Sequence, residues 1–261
     1  MLTVIVSYYK NTANLELILL GFEQQSDNRF EVIISEDDCD EDSRIYIEQA
    51  KSRFSFPIQH LKQNKDDGFR KNEMLNKSIQ SAVFDYVAFI DGDCIPHVHF
   101  VKEYIKHIKP NTILYGRRAN LGEKVSKELL ETKNLGVLKY SKLLFSDSDS
   151  VKDAIYSPNV RLSYKERGLV GCNWAVKKDH LFEVNGFDED YTYPGVGEDV
   201  DIEWRLKAIG LEMFSMKYKA NVFHINHPRS YNETGVQKNY DILKSKQELE
   251  LVKCLNGIEK L

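Results

Sequence analysis

The chain has 261 residues, of which 42% are hydrophobic and 29% charged, and its net charge is −4. That balance fits a globular domain and excludes a strongly basic nucleic-acid-binding surface. Cys39, Cys94, Cys172 and Cys254 stand far apart without paired spacing, which argues against a zinc site or disulfide framework and for a reducing compartment. The chain opens on a strand-like run without a basic n-region, and no apolar run has membrane-spanning length, so a cytoplasmic protein is expected.

Leu2 to Ser7 reads as a buried strand. Leu15, Ile18, Leu19 and Phe22 follow at i, i+3, i+4 and i+7, the core stripe of a helix. Phe30 to Ser35 is a second apolar run, ending in Glu36-Asp37-Asp38. A helix over 42–53 and a short strand over 58–61 come next. Leu75, Ile79 and Ala82 mark a helix that feeds an apolar strand stopping at Asp91-Gly92-Asp93. This alternation predicts a parallel, right-handed βαβ sheet, hence an α/β fold. Phe100, Val101, Tyr104, Ile105 and Ile108 mark a further helix, and 112–116 a strand. The pattern over 121–145 is weakly helical, and 146–167 reads as a long loop. Order returns over 168–176, and an Asn185-Gly186 turn leads to a loop over 191–197. Glu198-Asp199 opens a helix carrying Ile202, Leu206 and Ile209. One or two strands lie between Met213 and Phe223, followed by His224 and His227. A helix from Tyr240 onward, with Leu249, Val252 and Leu255, closes the chain.

Two stretches carry chemistry. Asp91 and Asp93, at i and i+2, share a side if the segment is extended. They sit at the carboxyl end of a strand, where open α/β sheets take ligands. Paired carboxylates around a glycine suit a hard divalent cation carrying phosphates; an ordinary Asp-Gly turn is the competing reading. Glu198-Asp199 stands where a helix dipole favours acids, so it is either a reactive pair or a helix-start stabiliser.

The spaced motifs together resemble a known family. Val4-Ile5-Val6-Ser7-Tyr8-Tyr9-Lys10-Asn11 is similar to the nucleotide-receiving first strand of family-2-type glycosyltransferases of the GT-A fold, with Ser7 where proline is usual. Ile33-Ile34-Ser35-Glu36-Asp37-Asp38 resembles their acidic second-strand motif. Gly68-Phe69-Arg70-Lys71-Asn72-Glu73-Met74-Leu75-Asn76 is similar to a segment of the β-1,4-galactosyltransferases. Asp91-Gly92-Asp93 matches the family's Asp-x-Asp. Gly195-Val196-Gly197-Glu198-Asp199-Val200-Asp201 resembles the acidic segment of the carboxyl-terminal half of the galactosyltransferases and of bacterial chondroitin-polymerase-type enzymes. The likeness spans residues 1–235.

This resemblance implies a GT-A sheet with a nucleotide-sugar-binding half (1–117), an acceptor-binding and catalytic half (118–235) and a C-terminal helix (236–261). It implies an inverting transfer of galactose, N-acetylgalactosamine or a related hexose from a UDP-sugar to a glycan or glycolipid hydroxyl. The expected setting is bacterial surface-polysaccharide or glycolipid synthesis, with peripheral contact to the inner face of the membrane. The donor would meet Ser7, Tyr9, Asp37 (at the uracil), Asp67, Arg70 (near the diphosphate), Asp91 and Gly92. Asp93 and His224 would hold the cation, and a histidine ligand favours Mn²⁺ over Mg²⁺. His227 competes with His224, though the spacing argues against both sharing one ion. Asp199 would be the base, Glu198 and Trp174 would meet the acceptor, and the 191–197 loop would close as a lid. A core role for Trp174 competes with stacking on a sugar. Two other classes remain. A nucleotidyltransferase would want a glycine-rich loop after the first strand, which Tyr8–Thr12 lacks. A non-catalytic glycan-binding module would not need Glu198-Asp199.

Overall fold

The computed structural model describes residues 1–160, 167–195, 197–228 and 233–261. Strands β1 (Leu2–Tyr8), β2 (Phe30–Glu36), β3 (Ile58–Lys62) and β4 (Tyr86–Asp91) pair in parallel in the order β3-β2-β1-β4. Helices α1 (Thr12–Glu23), α2 (Glu41–Arg53) and α3 (Lys71–Ser81) connect them. The alternation read from the sequence is therefore present. Its driving force is burial on both faces of β1. Leu2, Val4 and Val6 pack with α1 residues such as Leu15 and Phe22, whereas Ile5 packs with Leu75 and Ile79 of α3.

The sheet continues through β8 (Trp174–Lys177), β6 (Thr112–Tyr115) and β9 (Glu212–Ser215). β8 runs antiparallel to both β4 and β6; the other pairings are parallel. A strand from late in the chain thus seats directly beside the strand that ends at Asp91. A second, three-stranded sheet has the order β5 (Cys94–Pro96), β10 (Val222–His224), β7 (Arg118–Asn120). Short helices α4 (Phe100–His107), α5 (Glu123–Thr132), α6 (Tyr140–Leu143) and α7 (Lys178–Glu183) flank these strands. Helices α8 (Glu198–Ala208) and α9 (Glu233–Glu248) complete the fold.

Three sequence expectations change. Of the weakly helical stretch, Glu123–Thr132 forms a ten-residue helix, and the rest only the short pieces Leu135–Leu138 and Tyr140–Leu143. The expected long loop holds a short 3-10 turn at Val151–Ala154 and an Asn120–Asp149 bridge, while 161–166 lies outside the described residues. The final helix begins at Glu233 and stops at Glu248; Leu249, Val252 and Leu255 are not helical. Instead the tail folds back on the Asn185 turn, where Asn185 Nδ2 donates to the Cys254 and Glu259 carbonyls at 2.8 and 2.9 Å. Tertiary hydrogen bonds outweigh the apolar spacing there.

Behind the α8 start, the Arg205 and Asp201 side chains form an ion pair at 2.6 Å, each 1% exposed. Arg205 also donates to the Val184 and Gly186 carbonyls at 2.9 and 2.7 Å. Removing one partner of a buried pair strands the other charge. Asp201→Ala is therefore expected to cost about 3–5 kcal/mol, seen as a lower denaturation midpoint at unchanged slope.

Candidate active site

β1 and β4 run in register to their carboxyl edge. Ser7 pairs with Asp91, and the Gly92 N–H donates to the Ser7 carbonyl at 2.6 Å. A Cβ on Gly92 would stand 2.7 Å from that carbonyl oxygen, so no larger residue fits without backbone movement. β4 ends at Asp91, and Gly92-Asp93 turns. The two aspartates, expected to share a side of an extended segment, are separated by this turn. With no extended backbone between them, they take different partners.

Asp91 faces Lys71, the first residue of α3. The Lys71 ammonium donates to Asp91 Oδ1 at 2.9 Å and to Glu198 Oε1 at 2.6 Å. Burial alone would lower the Lys71 pKa, but the two carboxylates outweigh it and hold the side chain charged well above the usual lysine range. Lys71, Glu198 and Asp199 line a small pocket with Ser7, Gly171 and Phe187, backed by Phe89 and Trp174. Lys71 escaped the sequence reading, although it follows Arg70 in a quoted motif. Its signal is a lysine opening a helix whose apolar stripe is Met74, Leu75 and Ile79.

Asp199 sits in the first turn of α8. Its Oδ2 accepts from the Gly171 N–H at 3.3 Å and its Oδ1 from the Val200 N–H at 2.9 Å. Burial pushes its carboxyl above the usual range, against the opposing pull of Lys71 and these backbone donors. Glu198 is likewise pushed up by burial. Gly197 supports this start with φ of 118°, and a Cβ there would collide with the Tyr191 ring. Tyr191 itself is 1% exposed, and its hydroxyl donates to Asp201 at 3.2 Å. That end of the 191–197 loop is anchored; Val196 lies outside the described residues.

Asp93 faces the late histidines. His224 Nε2 stands 3.5 Å, and His227 Nε2 3.0 Å, from Asp93 Oδ2. All three donor atoms lie within 4.8 Å of one another. The spacing argument against both histidines meeting one ion is therefore corrected. β10 ends at His224, the Ile225 N–H bonds the Asp93 carbonyl at 2.8 Å, and His227, three residues after His224, also reaches Asp93. Burial works against an ionised Asp93, but the two imidazoles outweigh it and hold its carboxyl well below the usual range. Two imidazoles and a carboxylate fit a divalent ion that tolerates nitrogen ligands, Mn²⁺ better than Mg²⁺.

At the β2 edge, Asp37 Oδ2 accepts from the Arg70 N–H at 2.8 Å and its Oδ1 from Gln63 at 3.4 Å. Burial pushes it up to about 6. Arg70 itself turns its guanidinium to the Phe69 carbonyl at 2.9 Å. Tyr9 is 54% exposed, beside the Lys10–Asp66 pair. Asp67 pairs on the surface with Lys65, and Asp66 is the acid that reaches Tyr9 and Lys10. Trp174 is also corrected. It is 1% exposed and stacks on its cross-strand neighbour Phe89 with ring centroids 4.4 Å apart, so it supports the pocket from the core and offers no open face to a sugar.

The Asp37 shift has a stability consequence. An unfolded aspartate ionises near ~4, so the folded carboxyl holds its proton more tightly than the unfolded one. Ionising it above pH 6 therefore works against folding. Asp37→Asn is expected to raise the Tm at pH 8 and to lose that advantage near pH 4, in paired thermal melts.

Comparison with known proteins bears on this geometry. Residues 151–228 match the N-terminal domain of galactosyltransferase. The hyaluronan synthase of Pasteurella multocida is 26% identical over 94% of this chain and 27% of its own length. The chondroitin synthase of Escherichia coli is 25% identical over 89% of this chain and 36% of its own. The chain thus spans about a quarter to a third of these relatives. Among solved structures, a Pyrobaculum calidifontis mannosyltransferase, in complex with GDP-Man and Mn²⁺, aligns with TM-score 0.60 and 16% identity over 96% of this chain and 62% of that one. GalNAc-T7 with UDP, GalNAc and Mn²⁺ aligns at 0.66 and 12%, over 94% and 47%. Both likenesses show the GT-A-like fold. Residues 3–181 match glycosyl transferase family 2, and the chain belongs to that family of nucleotide-sugar transferases.

Proposed function

We propose that this chain moves galactose, N-acetylgalactosamine or a related hexose from a UDP-sugar to a glycan or glycolipid hydroxyl, with inversion and with a divalent cation. The carrying observation is the joining of donor-side and acceptor-side groups: Lys71 links Asp91, beside Ser7 and Gly92, to Glu198, beside Asp199. Asp37 is the acceptor for the uracil N–H. Asp93, His224 and His227 would hold Mn²⁺ (or Mg²⁺), which when bound neutralises charge growing on the leaving diphosphate.

Asp199 takes the proton of the attacking hydroxyl on its carboxylate. Its raised pKa makes it a stronger base than an exposed aspartate. Burial of the pocket's apolar wall, Leu75, Phe89 and Phe187, limits water near that proton. One base and direct displacement give a β-linked product from an α-linked donor. The relatives' names, hyaluronan synthase and chondroitin synthase, support assembly of a polysaccharide; the proposed setting is peripheral, at the cytoplasmic face of the membrane. Among the described residues no helix is long and apolar enough to cross one.

A donor screen tests this reading. UDP-, GDP- and dTDP-sugars are offered with and without Mn²⁺, scored by hydrolysis and thermal shift. UDP-hexoses with Mn²⁺ should give both signals; a response confined to GDP- or dTDP-sugars rejects it.

A further inference from the structure

The mechanism above leaves the Lys71 bridge without a task. Lys71 is 16% exposed at its side chain, and no water-filled route is needed to explain its charge: it has two carboxylate partners. Those partners come from opposite ends of the reaction. Asp91 ends the strand beside Ser7, and Glu198 opens α8 next to the base. They are 107 residues apart in the chain, by the difference between 198 and 91.

Glu198 shows what the bridge does. Its Oε1 is taken by Lys71, while its Oε2 is buried with no hydrogen-bond partner among the described residues. Buried carboxylate oxygens are nearly always satisfied, so an orphan inside a pocket marks a place for a ligand's donor group. A sugar hydroxyl is such a donor. Gly171 walls the pair closely: a Cβ there would meet Glu198 Oε1 at 3.2 Å and Lys71 Nζ at 4.0 Å.

We propose that Lys71 is a positioning residue that fixes Glu198 so that its free oxygen accepts a hydrogen bond from a second hydroxyl of the acceptor sugar, the one next to the hydroxyl deprotonated by Asp199. The acceptor class is then a sugar end with two neighbouring free hydroxyls. The inference rests on the glycosyl-transfer reading and adds a role for Lys71 that does not involve the donor diphosphate.

The test uses the whole chain with Mn²⁺ and a UDP-hexose that the wild type transfers. If the wild type transfers nothing, the functional reading fails, and the Lys71 assignment fails with it. Given transfer, Lys71→Met is expected to raise the acceptor KM at least tenfold, measured at saturating UDP-hexose. Glu198→Gln should do the same, and the double variant should be no worse than either single one, since both break one interaction. Methyl ethers at the neighbouring acceptor hydroxyl should lose the wild-type advantage over the variants. A methyl ether that leaves the wild-type advantage over the variants intact overturns the proposal. Additive losses in the double variant, or an unchanged acceptor KM, also overturn it. If Lys71→Met does not fold, Glu198→Gln and the ether series decide by the same criteria.

Discussion

Asp199→Asn should reduce transfer by about 100- to 10,000-fold, the range for removing a positioned general base, while UDP binding stays intact. Asparagine keeps the size of the side chain, and its one carbonyl oxygen can still accept from either the Gly171 or the Val200 N–H group. It cannot take a proton. Wild-type activity should fall as the pH drops, because the base works only when ionised, and the acidic limb should lie above the ordinary carboxylate range, since burial raises Asp199. The variant's residual rate should lack that limb. Initial rates at saturating donor across pH 5–9 read both effects, with calorimetric UDP titration as the control.

The second large effect concerns the cation. Asp93→Asn, and separately His224→Ala with His227→Ala, should weaken Mn²⁺ affinity more than about 100-fold, because outer-shell partners of metal ligands alone are worth 10- to 100-fold. Activity should fall in parallel and return in part at high Mn²⁺. The single His227→Ala variant is informative, since His227 lies closer to Asp93 than His224 does. It should lose metal affinity as His224→Ala does. Manganese titration followed by electron paramagnetic resonance measures this directly; equal affinity in all variants would remove the three residues as ligands.

Much of the sheet was legible in the sequence. Apolar runs ending in Ser7, Glu36 and Asp91 became β1, β2 and β4, because strands buried on both faces must be apolar throughout. The acids past those ends were legible for the same reason: only at the carboxyl edge can they reach a ligand. What stayed hidden depends on long-range placement. β8 reads as a short apolar run, and nothing local says that it lies antiparallel beside β4. That placement is also what turns Trp174 into a core residue against Phe89. The turn at Gly92 separated Asp91 from Asp93, although their spacing suggested a shared side. Past the end of β10, His227 also reaches Asp93, although the spacing suggested separation. In both cases the chain stops being extended within two residues of the site. Lys71 was hidden because its partners, Asp91 and Glu198, are distant in sequence.

The central claim is a direct displacement driven by one base at the start of α8. Its most direct measurement is the anomeric configuration of the product made from a UDP-α-hexose, read from the proton coupling of the newly linked sugar by NMR. The account predicts a β-linkage; an α-linked product would contradict it.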